Sequence, residues 1–200
     1  MLEPRRLRLL TLDAAQHPRS QPHLSSASGL ALVGDYLYIV ADDEHHLARL
    51  DASDPDASPL VLSRFAASTL PADPLQRKAV KPDLESLMVV PAAHRGDEPL
   101  LVAWGSASRV QREFAYVFPL GERGGITADP VKVSLSALCV PLHQRYGELN
   151  LEAGFVHGET MHLFQRAHVG QPVMATSAST LGRCARGCAG PARTRRSRSR

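Results

Sequence analysis

Two glutamates stand at the same position in two copies of a repeated phrase, and carboxylates repeated in this way could bind a metal ion. Glu85 and Glu152 each lie at the start of an apolar run, and an earlier copy of the phrase has Ser28 there. Convergent carboxylates can bind Ca²⁺, which takes about six to eight oxygen ligands, or can divide the roles of general acid and general base. The alternative is that each carboxylate accepts hydrogen bonds from backbone N–H groups of a neighbouring repeat.

A second set of metal-binding side chains is concentrated in one turn, Asp42-Asp43-Glu44-His45-His46. Adjacent residues of an extended chain point to opposite sides, so at most alternate members of this set can converge. The pattern therefore favours a solvated turn over a metal site. Asp42 and Asp43 are kept as candidate metal ligands beside Glu85 and Glu152.

The remaining motifs predict no chemistry. Gly105-Ser106-Ala107-Ser108 lacks the Gly-x-Ser-x-Gly pattern of a nucleophile elbow. Cys184 and Cys188 are not accompanied by a second pair of ligands, so they do not predict a zinc site. No catalytic residue is assigned.

The repeated phrase predicts the strands that position these residues. The units lie near residues 28–65, 83–135 and 150–171, and each begins with an apolar strand followed by a hairpin partner. Gly34-Asp35 stands between two apolar runs, as in a two-residue type II′ turn. The connections over residues 66–82 and 138–146 are predicted as an irregular segment with one helical turn and as a short helix.

Ser28, Glu85 and Glu152 are separated by 57 and 67 residues, which is enough for one four-stranded sheet and a long connection per unit. Such units arranged radially make a β-propeller, which usually has about four to eight blades. We therefore predict an all-β fold, an incomplete β-propeller of about three four-stranded antiparallel blades over residues 1–171. A β-sandwich built from the same hairpins is the alternative.

Residues 172–200 differ from the rest in composition. Residues 176–200 hold seven of the 23 Lys and Arg and no acid, so the remainder carries 16 basic against 20 acidic side chains. That remainder is mildly acidic and does not predict nucleic-acid binding. The segment is predicted as a disordered basic tail, and a basic arm for RNA or an out-of-frame origin are the alternatives.

Cysteine use and hydropathy bear on location. Cys139 is alone outside the predicted tail, so no internal disulfide framework is expected and a reducing compartment is the simpler interpretation. The apolar run behind Arg5, Arg6 and Arg8 stops at Asp13, too soon for a signal peptide, and no run approaches a membrane span. We expect a cytoplasmic protein that does not bind membranes.

The segments 28–51, 81–120 and 138–171 resemble an uncharacterised bacterial family of six-bladed propellers related to the esterase-like phytases. The likeness rests on the small or acidic residue before an apolar strand, the Gly-Asp turn and the strand that follows. It implies a propeller fold, and it implies that this chain is the N-terminal part of a longer ring. Phytase-like propellers bind calcium and phosphate on clustered carboxylates in the central channel, where Glu85 and Glu152 would lie, although Ser28 departs from the acidic pattern.

The sequence is thus interpreted as an uncharacterised, truncated β-propeller protein with no assignable activity. One alternative is a Ca²⁺-assisted hydrolase of phosphoesters or other esters, of phytase-like type. The other is a non-catalytic propeller that binds a small-molecule or protein ligand. No cofactor is expected apart from Ca²⁺.

Overall fold

A computed structural model describes residue 3 and residues 9–54, 59–92, 94, 96–166 and 179–180. Eleven strands in these residues form three antiparallel sheets, and each sheet follows the chain order of its strands. The fold is all-β and propeller-like, as predicted. The tail predicted over residues 172–200 lies outside the described residues, except for the two-residue strand in the third sheet.

The first sheet is a four-stranded meander. Its strands are β1 (Ala27–Val33), β2 (Tyr36–Ala41), β3 (His46–Asp51) and β4 (Val61–Arg64). The β1–β2 hairpin has the predicted two-residue loop, and Gly34 in that loop has φ +55, the sign that a type II′ turn requires. A Cβ atom on Gly34 would lie 2.2 Å from the carbonyl oxygen of Arg123, so this position also needs glycine for a close backbone approach.

The second sheet repeats this meander. Its strands are β5 (Leu84–Val90), β6 (Leu100–Gly105), β7 (Phe114–Pro119) and β8 (Val131–Ser134). It is preceded by the helix α1 (Pro74–Val80), whose N-terminus is capped by the Asp73 carboxylate, and 3₁₀ helices occur at Ala14–Gln16 and Val110–Arg112. The predicted helical turn in the 66–82 connection is confirmed.

The third sheet follows the helix α2 (Ser136–Tyr146). Its strands are β9 (Leu151–His157), β10 (Thr160–Gln165) and β11 (Ser179–Thr180). In the described residues this sheet therefore has three strands rather than the predicted four. The short helix predicted before this unit is confirmed.

Two apolar clusters join the sheets in chain order. Residues of β2, such as Tyr38 and Val40, pack with Leu87 and Phe114 of the second sheet. On the opposite side of the second sheet, Trp104 and its neighbours pack against α2 and against β9 and β10. Three separate sheets, each buried against the next, are incompatible with the alternative β-sandwich, which has two sheets.

A third cluster covers the remaining side of the first sheet over β2, β3 and β4, but not over β1. Leu12, Ile39 and Leu60 are buried there, and Leu10 and Leu24 pack partly buried against them. The segment before β1 therefore folds back over the first sheet. None of the helices in the described ranges is long and apolar enough to cross a bilayer.

Candidate functional site: an inter-sheet carboxylate cluster

The first strand of each sheet carries an irregularity at the position that the repeat predicts. Pairing in the three hairpins skips Ser28 in β1, Glu85 in β5 and Glu152 in β9. A β-bulge bends its strand and redirects the side chain of the extra residue. The three residues aligned from sequence are therefore equivalent in structure, at the same end of three neighbouring strands.

Glu85 lies in a group of three carboxylates drawn from two sheets. One oxygen atom each of Asp42, Asp83 and Glu85 lies within 4.8 Å of the others. Asp42 directly follows β2, and Asp83 directly precedes β5. The backbone N–H of Asp83 donates to the carbonyl of Asp42 at 3.0 Å, and this hydrogen bond joins the end of β2 to the start of β5.

Asp83 is held rigidly. Its φ of +57 is unusual for a residue with a side chain, and such conformations concentrate at functional sites. Its Oδ2 atom accepts from the Ser106 hydroxyl and from Arg112 at 2.8 Å. Burial alone raises the pKa of Asp83, but the hydrogen bonds from Ser106 and Lys81 and the charge of Arg112 hold that pKa below its ordinary value.

Lys81 bridges two of the three carboxylates. Its ammonium group contacts Asp42 Oδ2 and lies 3.1 Å from Asp83 Oδ1. Burial alone lowers the pKa of Lys81, but hydrogen bonds to these two carboxylates outweigh burial and raise it. One oxygen, Asp42 Oδ1, is buried and has no hydrogen-bond partner among the described residues.

Glu85 is the carboxyl of this cluster that Lys81 and Arg112 do not neutralise. Burial, followed by the negative charges of Asp83, Glu152 and Asp42, raises the pKa of Glu85 to about 7. The nearby charge of Lys81 only partly opposes this rise. Glu85 therefore changes its charge near neutral pH, and additional positive charge at this point would be stabilising.

Glu152 and Asp43 lie outside the group of three. Glu152 accepts a hydrogen bond from Asn150 at 2.7 Å and pairs with Arg166 at 2.9 Å. Its negative charge acts on Glu85 without direct contact. Asp43 pairs with Arg77 at 2.7 Å. Neither glutamate of the repeat accepts a backbone N–H in the described residues, whereas the hydroxyl of Ser28 donates to the Leu84 carbonyl on the next sheet.

The expectation of a solvated turn at residues 42–46 was wrong. Glu44, His45 and His46 are buried. The segment before β1 folds over Glu44 and His46, whereas His45 contacts Phe65 and the Ser68 carbonyl. Glu44, only 1% exposed, pairs with Arg19 at 2.7 Å and accepts from His17 Nε2 at 3.1 Å. We call Glu44, His17, Arg19 and His46 the Glu44 cluster.

The Glu44 cluster is not arranged as a metal site. The backbone N–H of Arg19 donates to His17 Nδ1 at 3.1 Å, so the ring proton of neutral His17 is on Nε2 and is directed at Glu44. That nitrogen is therefore not free to bind a metal ion. His46 Nδ1 lies 4.0 Å from Glu44 Oε2, and both atoms are buried with no hydrogen-bond partner in the part of the chain that the structure describes. Burial lowers the pKa of His46 to about 4.

Comparison with known proteins identifies the family but not an activity. A family of unknown function, DUF6929, matches residues 23–196, and the chain belongs to this family. The match includes the three described sheets and most of the segment predicted as a tail. No curated protein and no solved structure matches the chain.

Sequence reasoning found Glu85 and its partner strand but missed Lys81 and Asp83. Both lie within four residues of Glu85. Lys81 falls in the predicted irregular connection, and Asp83 is predicted only as the first residue of the second unit. A usable signal was present, since Asp83 stands two residues before the repeated carboxylate and Asn150 has the same place before Glu152. Polar residues at both positions of each copy indicate a site between sheets rather than a single side chain.

Proposed function

We propose that this protein is a non-catalytic, propeller-type module that binds a cationic ligand at Glu85, Asp42 and Asp83, with Ca²⁺ as the simplest such ligand. The observation that carries the proposal is the geometry of Glu85. Its carboxylate, at the bulge in β5, lies close to Asp42 at the end of β2 and to Asp83 at the start of β5, and it is not neutralised by the cations around it.

The spacing of the oxygen atoms suits one ion. Ca²⁺ binds oxygen at about 2.3–2.6 Å, so two ligands of one ion lie at most about 5 Å apart. The three carboxylate oxygens lie within 4.8 Å of one another. Waters would supply the other ligands. The Lys81 ammonium, which bridges Asp42 and Asp83, would have to give way to the ion, so we expect modest affinity.

A hydrolase of the type implied by the resemblance is the weaker proposal. Such an enzyme would also need cationic groups free to bind a phosphate or ester oxyanion. Lys81 and Arg112 lie in the cluster, but both are paired with Asp83. The relation to phytase-like propellers and the cytoplasmic location stay predictions.

The proposal is tested by thermal melts and calorimetric titration of the full chain with Ca²⁺ at pH 8. Ligand that binds only the folded state stabilises it by about 2.7 kcal/mol at a hundredfold excess over Kd. We expect Ca²⁺ to raise the melting temperature of the wild-type protein and of Glu159→Gln, a control at an exposed turn residue. We expect Glu85→Gln to lose most of the shift.

An equal Ca²⁺ shift in Glu85→Gln and the wild-type protein would overturn the proposal. A shift that disappears in Glu85→Gln, together with turnover of a phosphate ester, would instead support the hydrolase.

A further inference from the structure

We propose that two copies of this chain associate head to tail, with the open face of the third sheet of one copy on the open face of the first sheet of the next. The open face of the third sheet bears Phe155, His162 and Phe164. The open face of the first sheet is the part along β1 that bears Leu30 and Leu32, beside the part that Leu12 and Leu24 cover. This interaction is separate from the carboxylate cluster.

The open face of the third sheet corresponds in register to the face of the second sheet that packs against the third sheet. In the second sheet, Met88 stands three residues after the bulge at Glu85 and pairs with Val102, while Trp104 pairs with Ser86. Met88, Val102 and Trp104 are buried against the third sheet. This side of a sheet therefore receives the next sheet in the array.

The third sheet presents aromatic rings at the same register. Phe155 stands three residues after the bulge at Glu152 and pairs with His162, and Phe164 pairs with Ala153. The ring of Phe155 stacks on His162 at 4.7 Å and on Phe164 at 5.7 Å between centroids. Phe155 is nevertheless 46% exposed. A preassembled aromatic surface thus lies where the second sheet carries a buried contact.

The open face of the first sheet is the complementary half of the same repeated contact. Leu87 and Val89, two and four residues after the bulge at Glu85, pack toward the first sheet. Leu30 and Leu32 stand two and four residues after the bulge at Ser28. They are 62% and 66% exposed.

A second copy is the occupant that this arrangement indicates. Among the residues that the structure describes, each chain carries one open face of each kind, so one copy can supply what another lacks, in a heterologous contact that yields rings or open chains of subunits. Leu12 and Leu24 already cover the neighbouring part of the first sheet, which confines the contact to the strand β1. We therefore expect weak, concentration-dependent association.

The experiment is sedimentation equilibrium of the full chain over a wide concentration range, with the variants Phe155→Asp and Leu32→Asp. We expect the wild-type protein to associate and each variant alone to stay monomeric. An equimolar mixture of the two variants should form dimers and no larger species, because each retains one intact face. Leu75→Asp, at an 82% exposed position on α1, is the matched control and should associate like the wild-type protein.

A wild-type protein that remains monomeric at the highest concentration overturns the proposal without any variant. Association abolished by Phe155→Asp but unchanged by Leu32→Asp would also overturn it, because it indicates a symmetric contact between two third sheets. Far-ultraviolet circular dichroism confirms that each variant is folded. If Phe155→Asp does not fold, the comparison of Leu32→Asp with Leu75→Asp still decides, because only Leu32→Asp should reduce association.

Discussion

Two acidic side chains of this protein, Glu44 and Glu85, lie in opposite electrostatic environments. Glu44 is the more deeply buried, and Arg19, His17 and the Ser25 backbone N–H all donate to it. Glu85 is less buried, yet it lies among carboxylates and its pKa is raised to about 7. Glu44, the more deeply buried carboxylate, is neutralised by Arg19. Glu85, at the bulge between the sheets, has no such partner in the described ranges, and a bound cation would stabilise its charged form. This contrast separates a structural cluster from a candidate binding site.

The largest effect is expected from Glu44→Gln. The substitution removes the charge that pairs with Arg19, whose side chain is 7% exposed, and breaking a buried pair typically costs about 3–5 kcal/mol. We expect a loss of roughly 3 kcal/mol in the free energy of unfolding, measured by urea denaturation. A loss no larger than that of the exposed control Glu159→Gln would contradict a structural role for the Glu44 cluster.

The features that the sequence predicts are those set by residues close together in the chain, and the features that it does not predict depend on residues far apart. The strands, the hairpin at Gly34 and the equivalence of Glu85 with Glu152 follow from local pattern, because the period of a strand and the residues of a turn are local properties. The Glu44 cluster does not follow from local pattern, since it forms only when residues 13–25 fold over the turn. The Lys81 bridge to Asp42 joins residues of different units and depends on how two sheets pack.

Lys81→Met tests whether the Lys81 ammonium stabilises the three-carboxylate group around Glu85. The substitution leaves Asp42 without the ammonium that contacts it, while Asp83 keeps Arg112 and Ser106. We expect the free energy of unfolding to fall by about 2 kcal/mol, within the usual range for a buried polar group left unpaired. Under the proposed function, Ca²⁺ should recover most of this loss, because an ion can take the place of the ammonium. Recovery that fails in urea denaturation with Ca²⁺ would count against the cation site.

His46 should make the Glu44 cluster sensitive to acid. Its folded pKa of about 4 is below the ordinary value of 6.5, so below pH 6.5 the unfolded state binds more protons than the folded state. The contribution of neutral His46 to the free energy of unfolding is therefore complete above pH 6.5 and is lost as the pH falls toward 4. We expect a loss of about 2 kcal/mol by pH 5, since that pH lies about 1.5 units below the ordinary pKa and one pKa unit corresponds to about 1.4 kcal/mol. His46→Gln should flatten the pH profile of stability, whereas His157→Gln, at an exposed position, should leave it unchanged.

Glu85→Gln gives the smallest effect and the opposite sign. The folded pKa of about 7 exceeds the ordinary value of 4.5, so the folded state holds its proton more tightly, and stability is lost as the pH rises from 4.5 through 7. At pH 8 without Ca²⁺ the charged Glu85 is therefore destabilising, and glutamine should raise the free energy of unfolding by about 1 kcal/mol after allowance for solvent screening. At pH 4 the two proteins should be equally stable, because the carboxyl is then protonated in both states. A Glu85→Gln protein less stable than the wild type at pH 8 would mean that Glu85 is paired as Glu44 is, and the contrast between the two carboxylates would no longer mark a binding site.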